Sequence, residues 1–200
     1  MLLIGLGRVP PPYREDGRTE YIFALTGKPV GANWSEFIAQ GILKYPEVTV
    51  YVVQTPDDKT RTLQELLKES PHGKTIVYCD LIHQGQALSE KFGIPFVYGK
   101  TNERMEIIRN NNIVLVSRVG DEGISLTDLE RVIEYSFLGG SRRQELQRAG
   151  RLLHSHNEDG HGTSHIILMT QAEYHKYLRR FHGIIERGMQ VNVVQRHYAA

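Results

Sequence analysis

From Pro46 onward the chain alternates between two hydrophobic rhythms. Short apolar runs, VTVYVV at 48–53, TIVYC at 75–79, PFVY at 95–98, IVLVS at 113–117, RVIEYS at 131–136 and SHIILM at 164–169, predict buried strands. Between them, apolar residues recur every three or four positions, which predicts helices. These cover 57–69, with Leu63, Leu66 and Leu67 inward, then 82–92, and 102–110 with Met105 and Ile108 inward. Two more cover 140–155 and 172–187. On the last, Tyr174, Tyr177, Leu178, Phe181, Ile184 and Ile185 form an apolar stripe, with Lys176, Arg179 and Arg180 on a solvated face. Strands alternating with helices across short connections predict an α/β fold with a parallel sheet covered on both faces. Such sheets bind ligands beyond the carboxyl ends of their strands. The loops at 80–85, 99–101, 118–125 and 137–142 are therefore where chemistry is expected.

The first residues break this order. LLIGL and EYIFAL are strand-like but separated by Pro10, Pro11, Pro12 and several glycines, so they do not read as a folding unit. A short helix is predicted over 34–40, with Asn33 as its cap. Residues 1–45 read as a remnant of a preceding domain with a connector, and 46–200 as the principal domain.

The helix at 140–155 poses the sharpest question. Leu146, Ala149, Gly150 and Leu153 share one face, and Gln144, Arg148 and Arg151 are predicted to point the other way, toward solvent or an anion. A solvated basic face is the ordinary outcome for such a pattern. An arginine pair aimed at a phosphate is the alternative.

Composition narrows the partners only a little. With 24 Lys and Arg against 23 Asp and Glu, the net charge is +1, so any nucleic-acid surface must be a local patch. The single cysteine, Cys79, excludes an internal disulfide and reads as a buried thiol in a reducing compartment. No apolar run is long enough to span a membrane, and the N-terminus lacks a basic secretion start, so the expected location is cytoplasmic, or nuclear in a eukaryote. GKT at 73–75 does not make a phosphate loop, because a strand follows it rather than a helix. Asp121 and Glu122 are then no magnesium pair by themselves. His154, His156, His161 and His165 lie around a glycine-rich stretch, and no metal site is expected there. Gly120 and Gly123 allow backbone amides to approach a phosphate or ribose closely, and a plain strand-to-helix turn accounts for them equally well.

Taken in order, YREDG, ANWSEF, KTIVYCD, FVYGKT, VSRVGDEGISL and GGSRRQELQRAGRLLH resemble the second RecA-like domain of superfamily 2 helicases, most nearly the XPB family of DNA repair and transcription helicases. The resemblance implies a three-layer RecA-like domain with a mainly parallel sheet. QRAGRLLH matches the family's sixth motif, whose arginines reach ATP held by a first domain. It implies that Arg151 is the arginine finger, with Gln147 and Arg148 in support. Gly120, Asp121, Glu122 and Gly123 match the fifth motif, which faces nucleotide and strand. Asp80, Gly99, Thr101, Ser117 and Arg118 fall where relatives touch strand phosphates. Arg14, Glu15 and Asp16 match the family's RED element, associated with strand opening. The implied cofactors are ATP and Mg, bound mainly by a first RecA-like domain on another chain or a longer precursor. The implied partner is DNA, as a single strand or fork. Three departures stand out. His154 replaces the last motif-six arginine, Ser125 replaces the motif-five aspartate, and LGRVPPP stands where the third motif is expected. The thumb-like insertion is also absent. These departures keep a second reading open, a catalytically silent nucleic-acid or partner-binding module derived from such a helicase.

Overall fold

The computed structural model describes residues 37–38, 40, 43–69, 73–121, 126, 128–137, 142–153 and 162–199. The strands are β1 (Glu47–Val53), β2 (Lys74–Cys79), β3 (Phe96–Val97), β4 (Ile113–Val116), β5 (Leu129–Ser136), β6 (Ser164–Thr170) and β7 (Val191–Gln195). They form one sheet in the order β3-β4-β2-β5-β6-β1-β7, with every pairing parallel. The helices are α1 (Pro56–Lys68), α2 (Ile82–Phe92), α3 (Arg104–Asn110), α4 (Arg142–Leu152), α5 (Gln171–Tyr177) and α6 (His182–Ile185).

The alternation of side chains along each strand sorts the core into two faces. Val77, Cys79, Leu115, Ile133, Tyr135, Ile166 and Leu168 pack with Leu63 and Leu66 of α1 and Leu88 of α2. Their neighbours Ile76, Tyr78, Val114, Val116 and Val132 face Ile108 of α3 and Leu152 of α4. On that second face, Val48, Val50, Val52, Ile167 and Met169 meet Leu146 and Ala149 of α4 and Ile184 of α6. Helices on both faces of a parallel sheet complete the three-layer α/β architecture.

Local chemistry sets the helix starts. Thr55 caps α1 by accepting from the amide of Asp58 at 3.1 Å, while Asp58 accepts from the amide of Thr55, with Pro56 in the first turn. Thr170 and Glu173 repeat the device at α5. Gly93 ends α2 in the left-handed region at φ 66°.

Two expectations require correction. The predicted helix over 172–187 is broken into α5, a 3-10 turn at Leu178–Phe181 and α6. Leu178 and Ile185 of its predicted stripe are exposed, while Arg180, expected on a solvated face, is fully buried. β7 was not expected at all: VNVVQ is short, and it takes its shape from pairing with β1. The predicted helix over 34–40 lies largely outside the described residues, as do Arg14, Glu15 and Asp16.

Candidate functional site

Helix α4 follows β5 and packs against that strand, against α6 and against the 3-10 turn Arg118–Asp121 that follows β4. Among its described side chains the outward stripe is narrow. Gln147 is exposed and Gln144 and Arg151 are half-buried, at i, i+3 and i+7, while Glu145, Leu146, Arg148, Ala149, Gly150, Leu152 and Leu153 are all buried. The outward placement of Arg148 is therefore corrected. It stands one residue, about 100° of helix turn, past Gln147 and points at the sheet.

Beneath α4, Arg148 enters a sealed network of charges. It donates to Glu134 Oε2 of β5 at 2.6 Å and to Asp80 Oδ1, just past β2, at 2.7 Å. Its guanidinium lies 4.0 Å from the centroid of the Tyr78 ring. Arg180, from the turn after α5, bridges Glu134 at 3.1 Å and Glu145 at 2.7 Å. His165 Nε2 donates to Glu134 Oε1 at 2.8 Å and lies 3.5 Å from Glu145 Oε1. All six side chains are withdrawn from solvent. Nδ1 of His165 meets no partner among the described residues. A buried lone pair costs less than a stranded N–H, which places the ring hydrogen on Nε2.

The electrostatics of this network follow from its geometry. Burial pushes the Glu134 carboxyl up, but Arg148, the His165 hydrogen bond and Arg180 outweigh it and hold Glu134 well below the usual range. Burial, and next the Glu134 charge, push Glu145 well above it, against the pull of Arg180. Three carboxyls face two guanidiniums, and a proton on Glu145 balances the set. Glu134, Glu145 and His165 lie close enough to resemble a metal-ligand trio. Both carboxyl groups already pair with arginines, so the trio stands as part of an ion-pair cluster, with Glu145 Oε1 left without a hydrogen-bond partner among the described residues.

The strand-end loops divide the remaining candidates. Asp80 is 3% exposed with its carboxylate engaged by Arg148, so its side chain is corrected from a strand contact to an internal anchor. A carboxylate facing a phosphate would also repel it. Ser117 is buried, and its amide donates to Val97 O. Arg118, Gly99 and Lys100 are exposed and Thr101 half-buried. The carbonyl of Gly120 accepts from Tyr78 Oη at 3.0 Å, and a Cβ there would come within 2.6 Å of Val116 and 2.9 Å of Tyr78. Only glycine fits that approach. The side chain of Asp121, and all of Glu122, Gly123, Ser125 and His154, lie outside what is described.

Pattern reading missed Glu134, Glu145, His165 and Arg180. The usable signal was the lone acid inside RVIEYS and the lone imidazole inside SHIILM, since a polar group in a buried strand requires a partner.

The sheet and its helix layers define a RecA-like α/β lobe. Solved structures share this fold. The E. coli DEAD-box protein SrmB, bound to regulator of ribonuclease activity A, superposes with a TM-score of 0.61 at 21% identity, over 78% of this chain and 92% of that one. S. cerevisiae Dbp5 bound to RNA and ADP BeF3 gives 0.60 at 14% identity, over 83% and 49%. A family model described as the ERCC3/RAD25/XPB C-terminal helicase matches residues 34–198, and the chain belongs to that family. A putative DNA 3'-5' helicase Rad25 of Haloarcula marismortui is 34% identical over 178 residues, covering 74% of this chain and 29% of the relative. The general transcription and DNA repair factor IIH helicase/translocase subunit XPB of Drosophila melanogaster is 32% identical over 181 residues, covering 74% and 23%. The chain thus spans about a quarter of the length of these relatives. Among the described residues no helix is long and apolar enough to cross a membrane.

Proposed function

We propose that this chain is the second motor lobe of an ATP-dependent DNA helicase or translocase, completed by a first RecA-like lobe that holds ATP and Mg. The observation that carries the reading is the division of labour on α4. Arg148 is sunk into the lobe, and Arg151 lies on the narrow outward stripe with Gln147. A guanidinium suits this post because it stays charged and grips a phosphate through two parallel bonds. Bound ATP supplies the phosphoryl group, and Mg the neutralisation of its charge. This chain's part is to bring Arg151 to the developing charge and to seal the nucleotide's far side with the turn at 118–121. Asp80 and Arg148 act behind this surface by fixing α4 to β2 and β5. Strand phosphates meet Gly99, Thr101 and Arg118, contacts that position a strand without reading its sequence.

The test mixes the chain with a complementary first lobe and measures DNA-stimulated ATP hydrolysis. Arg151→Ala is expected to lower the rate roughly a thousandfold, the scale of an arginine finger. An unchanged rate overturns the reading. Salt-dependent binding of single-stranded DNA with no ATPase in the reconstituted pair would instead favour a silent binding module, which the replacements at Ser125 and His154 support.

A further inference from the structure

We infer that Arg104 is a positioning residue for the strand-contact turn at 98–101, a role that rests on the strand-contact reading above. The turn closes on itself in two places. The Thr101 amide donates to Tyr98 O at 3.0 Å, and the Tyr98 amide donates to Thr101 Oγ1 at 3.0 Å. Its base is fixed by Tyr98 stacking on Phe96, with centroids 5.2 Å apart, and Phe96 in turn fills the space over Gly85 of α2. Glu103 then takes a left-handed backbone, φ 51° and ψ 36°, before α3 begins. Past this reversal the Arg104 side chain comes back over the turn, where Nε donates to Thr101 O at 3.0 Å and Nη2 to Gly99 O at 2.5 Å.

The consequence is electrostatic as well as geometric. The carbonyls of Tyr98, Gly99 and Thr101 are all engaged from within, two of them by a cation. The amides of Gly99 and Lys100 donate to nothing among the described residues. The turn thus keeps three of its four carbonyls engaged and leaves two amides without an acceptor among the described residues, the polarity an incoming phosphate requires. A forked guanidinium bridges two carbonyls at fixed separation, and an ammonium on a flexible stem does not reproduce that bridge. Arg104 gives two of its five N–H donors to the turn's carbonyls, and its inferred part is to shape the strand contact rather than to make it.

Two measurements on the full chain, with Arg104→Gln and Arg104→Lys, test this. Amide exchange at Thr101 is expected to speed up roughly tenfold in both variants, while Ser117, bonded to Val97 O, keeps its parent rate. Affinity for a fluorescent single-stranded oligothymidine is expected to fall roughly tenfold in both, with the salt slope kept. A direct phosphate contact by Arg104 would instead lower that slope by ~0.7. Unchanged Thr101 exchange, a lowered slope, or full rescue by lysine overturns the inference for Arg104 while leaving the strand-contact reading intact. A parent chain without affinity for the oligonucleotide overturns that reading, and the inference with it.

Discussion

Arg148 reaches from helix α4 to Glu134 on the strand below, 2.6 Å away, with both side chains sealed from solvent. Three residues later on the same helix, Arg151 stands on the outward stripe. One helix thus carries a structural arginine and a candidate functional one, and they should fail differently.

Truncating the inner one removes the cation that pairs with both Asp80 and Glu134 in a space closed to solvent. Arg148→Ala is expected to cost about 3–5 kcal/mol, the scale for removing one member of a buried pair. Urea denaturation followed by circular dichroism reads this directly. A loss under about 1 kcal/mol would mean that water or a neighbouring cation replaces the guanidinium.

Arg151→Ala should cost less stability than Arg148→Ala, about 1 kcal/mol, because the Arg151 side chain is only half-buried. Its main effect should appear in the ATPase of the reconstituted pair. Comparable destabilisation by Arg151→Ala and Arg148→Ala would remove the distinction on which the proposed function rests.

Glu145 gives stability a pH dependence. Its folded carboxyl titrates well above the ordinary value of about 4.3. The folded state therefore holds a proton that the unfolded state releases, so this contribution is complete below that ordinary value and is lost as pH rises through the folded one. Glu134 has the opposite sign, since its lowered value makes its contribution vanish only as pH falls well below the usual range. Glu145→Gln mimics the protonated form and should flatten the decline of stability from mildly acidic to neutral pH. A denaturation series across that range that is identical for parent and variant would place the proton elsewhere.

Cys79 should be inert in the folded protein. It is fully buried on the α1–α2 side of the sheet, and burial pushes its thiol up to about 11, against a hydrogen bond from Ser136. Labelling with a thiol reagent at neutral pH should follow unfolding rather than direct attack. Rapid stoichiometric labelling of the native chain would contradict that burial.

Much of this architecture was open to a reader of the chain. The six apolar runs gave six of the seven strands among the described residues, because a strand buried on both faces needs no polar alternation. The order of short motifs identified the family. The orientation of the arginines was not open in the same way. Periodicity assigns cations to the solvent side, since a lone buried charge is prohibitively costly. For Arg148 and Arg180 the partners come from distant positions, Asp80, Glu134 and Glu145. Only the parallel stacking of β2, β5 and β6 under α4 gathers those carboxyls into one dry space. Local sequence thus determined which segments became strands and helices. The tertiary structure decided which charges turned inward, because the energy of a buried ion depends on every neighbour that surrounds it.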